Sequence, residues 1–397
     1  IDVNKKSNAT FIQTTLEHWP ELKFYSADGT QISFLDKDVL LYKKSYLNGN
    51  QIAEYHEKAT FQVIMLLEDG FWRVRHFVRV VSPPTKVEEK AVIDTGLNLF
   101  LSNIKGLNYY PKESPWDTFG NRFNDSVIAS DFRKIKEMGL NTVRVFIPYS
   151  DFGEAHLDAI RLSKVKSLLD AAEKEHLKVI ITLFDFYGDY SVPNWTMTYT
   201  HAEKVVKEFM DHPSLLAWDL KNEPDLDFES RGKDNVLAWL KELNIRVKKW
   251  DNLHPITVGW SSPEAAINIA EELDFVSFHY YRDCKDFLSA YDKMKNAIPS
   301  GKITVLQEYG SSSYSGFWNL FRNSEEKQAA YYKEIQPILE KAQIPFLFWT
   351  LYDFESVPTA VVGSRPWRRE PQKYFGCLDV EGKPKKAYYY LKGSSEK

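Results

Sequence analysis

Two glutamates could carry acid/base chemistry. Glu223 follows the apolar run 215–220 within Asn222-Glu223-Pro224, and Glu308 follows the run 303–306 within Gln307-Glu308-Tyr309. Each sits where a strand would hand over to a loop. Two adjacent carboxyls repel, so a site that raises one pKa and keeps the other ionised suits proton transfer. At a separation of about 5–5.5 Å, one can attack an anomeric carbon while the other acts as acid and then base. Arg144 lies inside Val143-Arg144-Val145-Phe146; an unpaired charge there is costly, so it needs a buried partner. A carboxylate at the end of a neighbouring strand would satisfy it.

Residues of this kind need a scaffold that brings strand ends together. Beyond about residue 95, short apolar runs alternate with amphipathic stretches. The runs fall at 104–109, 142–147, 179–184, 215–220, 256–259, 275–279, 303–307 and 346–350. Between them, 127–138, 157–176, 202–210, 236–250 and 325–342 read as helices. Eight β/α units in about 300 residues predict a closed (β/α)₈ barrel, whose functional side chains collect at the C-terminal strand ends. The open doubly wound alternative lacks its glycine-rich phosphate turn. The residues at those ends include Asp185 and Tyr187, Asn222 and Glu223, Trp260 and Ser261, His279 and Tyr281, Gln307 and Glu308, and Trp349.

The first 80 residues read as short strands with hairpin turns at Asp28-Gly29 and Asp69-Gly70. The expected architecture is an α/β protein: a small all-β, immunoglobulin-like sandwich over 1–84, a linker over 85–95 and the barrel over 96–397. The sandwich carries no motif of its own; packing is favoured over glycan binding because its aromatics sit within strand patterns.

A net charge of −4 gives no electrostatic reason to expect a nucleic-acid partner. No apolar run approaches the ~18 residues of a membrane span. Cys284 and Cys377 have no metal-ligand spacing and read as free buried thiols. The nine histidines form no H-x-x-x-H or H-E-x-x-H pair, and no G-x-S-x-G elbow occurs. Metal and serine hydrolysis are therefore disfavoured, and no cofactor is expected.

Trp218-Asp219-Leu220-Lys221-Asn222-Glu223-Pro224 resembles the fourth-strand motif of clan A glycoside hydrolases, particularly family five, the cellulase and mannanase family. Asp274–Tyr281 resembles its sixth strand, Leu306-Gln307-Glu308-Tyr309-Gly310 its nucleophile strand and Asn141-Thr142-Val143-Arg144 its second-strand arginine. Trp349 fits the eighth-strand tryptophan. The resemblance covers roughly residues 96–392. It implies that Glu223 is the acid/base and Glu308 the nucleophile. It further implies that Asn222 meets the sugar 2-hydroxyl, Arg144 and Tyr281 keep Glu308 ionised, His279 sits beside the acid/base and Trp349 floors the −1 subsite.

One departure is the third strand, ending Leu183-Phe184-Asp185-Phe186 where many members carry histidine; Asp185 or Tyr187 is expected to substitute. Trp195 and Trp260 read equally as core or as sugar platforms. The cluster Arg365, Arg368, Arg369 in the insertion 355–375 reads first as a solvated loop and second as a subsite rim.

The expected activity is retaining hydrolysis of a β-linked glucan, mannan or related glycan. The alternatives are transglycosylation or a barrel that binds glycan without cleaving it. The expected partner is an oligo- or polysaccharide and the expected state a monomer. A secreted, periplasmic or cell-surface location follows from the substrate class and from the absence of an initial methionine.

Overall fold

In the computed structural model, residues 11–16, 30–47, 50–80, 96–318 and 323–392 are described. The chain divides into two compact units, Ile1–Ile93 and Asp94–Lys397. In the first, β1 (Phe11–Leu16), β2 (Gln31–Leu47), β3 (Asn50–Glu68) and β4 (Phe71–Val80) form one antiparallel sheet in chain order. The all-β expectation holds, but the described residues make one sheet, and the second layer of a sandwich is not among them. Asp69 and Gly70, the two residues between β3 and β4, have φ of 52° and 78°. That is the left-handed pair a two-residue hairpin needs. β2 is continuous but bulged: its register with β3 shifts between Asp36 and Val39. The turn expected at 28–29 lies outside the described residues.

The second unit is the barrel. Its strands are β5 (Lys105–Asn108), β6 (Thr142–Pro148), β7 (Lys178–Asp185), β8 (Leu215–Asn222), β9 (Ile256–Trp260), β10 (Val276–Tyr280), β11 (Thr304–Tyr309) and β12 (Phe346–Phe348). They are parallel and close β12 onto β5. Nearly every strand residue is buried, as expected when helices cover the outside and side chains fill the inside. Asn124, Asp158 and Ser324 cap helices Asp125–Glu137, Ala159–Lys174 and Glu325–Lys341 through their side-chain oxygens.

Helix Val192–Phe209 starts ten residues before its expected beginning, with Pro193 in its first turn, and buries Trp195, Tyr199, Ala202 and Val206 on one face. Helix Phe287–Ala297 has no counterpart among the expected helices. Near the start of β5, Leu101 and Ile104 pack on Ile180, Leu216, Phe275, Val305 and Leu347. Cys284 and Cys377 are free and buried. No described helix is long and apolar enough to cross a membrane.

Candidate active site

Arg144 organises the C-terminal mouth of the barrel. It is fully buried on β6. Nε donates to Thr182 and Asp219, each at 3.0 Å; Nη1 to Asn108 at 3.1 Å and Glu308 at 2.6 Å; Nη2 to Asp219 at 2.6 Å and Asn222 at 2.9 Å. All five guanidinium donors are thereby engaged, and the group lies 4.5 Å from the centre of the Phe146 ring. Burial alone would loosen its proton, but Asp219 and Glu308 outweigh that and raise its pKa. Gly259 on β9 leaves the room: a Cβ there would come within 2.7 Å of Arg144 Nη2 and 2.8 Å of Gln307 Oε1.

Glu308 on β11 is held from both sides. Arg144 donates to Oε1, and the Tyr281 hydroxyl donates to Oε2 at 2.8 Å. Glu223 follows β8 with φ 46° and ψ 50°, a left-handed conformation that a residue with a Cβ rarely takes. Its N–H donates to the Gly259 carbonyl at 2.6 Å, which fixes the turn and aims the carboxyl inward. His279 Nδ1 lies 2.8 Å from Glu223 Oε1 and 3.6 Å from Glu308 Oε2. Burial disfavours a charged imidazole, but the two carboxylates outweigh it and raise the His279 pKa. Burial likewise pushes Glu223 up; the His279 bond, Arg144 and Lys221 win and lower it. The pair therefore shares one proton, resting on the imidazole.

Donor atoms of Glu223, His279 and Glu308 all lie within 4.8 Å of one another. Three such groups could hold a metal ion, but here the Arg144 cation and the Tyr281 hydroxyl already occupy Glu308. One oxygen of each carboxyl thus lies closer to the other than the roughly 6.5–9.5 Å that an inverting pair keeps for a water between them.

The other expected residues fall as follows. Asn222 spends its carbonyl oxygen on Arg144, and its amide N–H groups have no partner among the described residues. Trp349 is 9% exposed and stands edge-on to Tyr110 and Phe146. Asp185 is buried and accepts from the Tyr110 hydroxyl at 3.2 Å. Burial pushes its pKa up to about 6 against the pull of Lys221 and Arg144. Trp260 does not offer a platform: it is fully buried, with both indole faces covered. Trp195 is a core residue, its indole N–H on the Tyr190 carbonyl at 2.8 Å. Tyr187 is buried against Trp239.

The insertion is anchored to the barrel at two points, while Arg365 and Arg368 are exposed and Arg369 is partly so, as the solvated reading expects. Ser312 Oγ donates to the Pro371 carbonyl at 2.7 Å, and the Phe354 N–H to the Lys373 carbonyl at 2.8 Å. Phe375 packs edge-on to Tyr281. Sequence reasoning passes over Asn108, Thr182, Asp219 and Gly259. The criterion that singles out Arg144, a polar side chain inside an apolar run, applies equally to Asn108 and Asp219.

Residues 101–355 match the family described as Cellulase (glycosyl hydrolase family 5). A beta-glucuronidase of Chlorocebus aethiops is 23% identical over 322 residues, 74% of this chain and 44% of its own length. Mannan endo-1,4-beta-mannosidase A of Emericella nidulans is 22% identical over 238 residues, 48% of this chain and 61% of its own. The structure of exo-beta-1,4-mannosidase Op5Man5 from Opitutaceae bacterium strain TAV5 shares the fold at TM-score 0.58 and 19% identity, over 72% of this chain and 58% of that one. The chain thus spans less than half the length of the glucuronidase it matches.

Proposed function

The chain belongs to glycosyl hydrolase family 5, and from that premise we infer that it is a retaining β-glycosidase acting on a β-linked glycan of mannan or glucan type. The observation that carries this reading is the clamp on Glu308, Arg144 on one oxygen and Tyr281 on the other, with the Glu223 carboxyl within 4.8 Å. Two hydrogen bonds, one to each carboxyl oxygen, fix the position and trajectory of Glu308, so it is the nucleophile. Glu223, unclamped and hydrogen-bonded to His279, is the acid/base. The one proton the pair shares passes from the imidazole to Glu223 along the 2.8 Å bond, and from Glu223 to the leaving oxygen.

Glu308 attacks the anomeric carbon, the glycosidic C–O bond breaks, and the departing oxygen takes the proton from Glu223. Water then gives a proton to Glu223 and attacks the same carbon, releasing Glu308. Asn222 meets the 2-hydroxyl, Trp349 floors the sugar and Asp185 takes the place of the third-strand histidine. The names of the mannan-cleaving relatives support the substrate class. An extended glycan is met outside the cell, which supports a secreted or cell-surface location.

The tie between the insertion and the rim beside Tyr281 supports closure of one end of the cleft, hence cleavage from a chain end. Internal cuts in long oligosaccharides would sink that part.

The central test is hydrolysis of β-linked oligosaccharides and aryl glycosides by wild type, Glu223→Gln and Glu308→Gln. The expected result is turnover lost in both variants, with azide restoring Glu223→Gln and giving a β-glycosyl azide. An α-azide, or full activity in either variant, overturns the assignment.

A further inference from the structure

Lys221 lies on β8, two residues before Glu223, and is 5% exposed. An ammonium has three N–H donors; one is used, on the Asn222 carbonyl at 2.6 Å. Among the described residues no carboxylate forms an ion pair with it. Burial lowers its pKa, and Asp185, Asp227, Glu223 and Asp219 act from further off to hold its charge. Asp185, at the end of the adjoining strand β7, is 3% exposed and has one partner, the Tyr110 hydroxyl. Asp227 takes the Tyr190 hydroxyl at 2.6 Å. A buried cation and a buried acid near the ends of paired strands, with no ion pair between them, leave donors and lone pairs unused, which is costly unless something fills the gap. A hydroxyl fits, since it accepts from an ammonium and donates to a carboxylate at once.

We propose that Lys221 and Asp185 form a specificity-determining pair that grips adjacent hydroxyl groups of a neutral sugar beside Glu223. The proposal rests on the retaining-glycosidase reading and narrows its substrate. Neutrality follows from the local charges: the five acids Asp185, Asp219, Asp227, Glu223 and Glu308 outnumber the three cations Arg144, Lys221 and protonated His279, and every donor of Arg144 is already spent. A hexuronate carboxylate placed here would meet that acidic excess with only Lys221 to pair with.

The test compares wild type with Lys221→Met, which keeps the buried stem and removes the charge. Both are assayed on the preferred aryl β-glycoside, its monodeoxy analogues and the matching hexuronide. The expected loss of kcat/KM on the parent glycoside is about 10- to 100-fold. One monodeoxy analogue, already slow with wild type, is hardly slowed further by the substitution, and the hexuronide is the poorer substrate of wild type. An equal loss on the parent and on every deoxy analogue overturns the proposal, as does a wild-type preference for the hexuronide. Should Lys221→Met fail to fold in a melting experiment, Asp185→Asn tests the same coupling: a loss that vanishes on one deoxy analogue supports the pair, and an equal loss on all of them overturns it.

Covalent labelling of Glu308 by a fluorinated mechanism-based glycoside separates the two layers. Labelling without the deoxy coupling sinks the pair alone. No labelling and no turnover sinks the retaining reading, and calorimetric binding of neutral against uronic oligosaccharides by wild type then decides the pair.

Discussion

Arg144 Nη1 stands 2.6 Å from Glu308 Oε1, a fully buried guanidinium against a carboxylate whose side chain is 8% exposed. The contact joins β6 to β11, strands that only barrel closure brings face to face, and the same guanidinium holds Asp219 and Asn222 of β8. One cation thus positions Glu308, the proposed nucleophile, and orients the Asn222 amide beside Glu223, the proposed acid/base.

Arg144→Lys keeps the charge and loses the planar fork. Asn108, Asp219, Asn222 and Glu308 cannot all be served by one ammonium, so buried acceptors are left unpaired. The expected outcome is a kcat loss of about 10²–10³-fold with a stability loss of about 3 kcal/mol. Steady-state kinetics and chemical denaturation check both; an unchanged kcat would contradict the clamp.

Tyr281→Phe removes only the hydroxyl that donates to Glu308 Oε2. The ring is 43% exposed, but its hydroxyl meets a carboxylate whose side chain is only 8% exposed, so stability should fall along with the rate. A bond to a charged group is worth about 1.5–3 kcal/mol; kcat should fall about 10- to 100-fold. A melting shift without a rate change would show a packing role instead.

Gly259→Ala places a methyl 2.7 Å from Arg144 Nη2, 2.8 Å from Gln307 Oε1 and 3.2 Å from Asp219 Oδ2. None of these groups is free to move, because each is fixed by other bonds. Overpacking of this kind costs about 1–3 kcal/mol, and here it also displaces the arginine. Activity should fall further than stability does, measured as residual kcat in protein shown to be folded by circular dichroism.

The proton shared by His279 and Glu223 sets the alkaline limb of the rate. His279 is raised above its ordinary 6.5 because the Glu308 and Glu223 charges outweigh its burial. The imidazole therefore keeps its proton below that raised value and loses it as pH climbs through it, so kcat/KM should decline above pH 6.5. The same linkage makes the pair's contribution to stability complete below 6.5 and lost through the raised pKa. His279→Asn should move the alkaline limb to lower pH; a limb that stays in place would assign it to another group.

Much of the barrel is legible in the chain. Eight short apolar runs separated by amphipathic stretches have few other ways to bury themselves, and the strand ends then name their own polar residues. Glu223, Glu308, His279, Tyr281 and Arg144 all emerge in this way. Tertiary structure alone decided what surrounds them. Asn108, Thr182 and Asp219 meet Arg144 across 36, 38 and 75 residues of chain, and Gly259 matters only because a guanidinium passes over it. Trp260 shows the same limit from the other side. An aromatic at a strand end can face the cleft or its own barrel wall, and the local sequence is identical in both cases. Local patterning fixes which residues a strand buries or ends on, whereas partner identity depends on barrel closure and register, which bring together residues with no signal of each other in sequence.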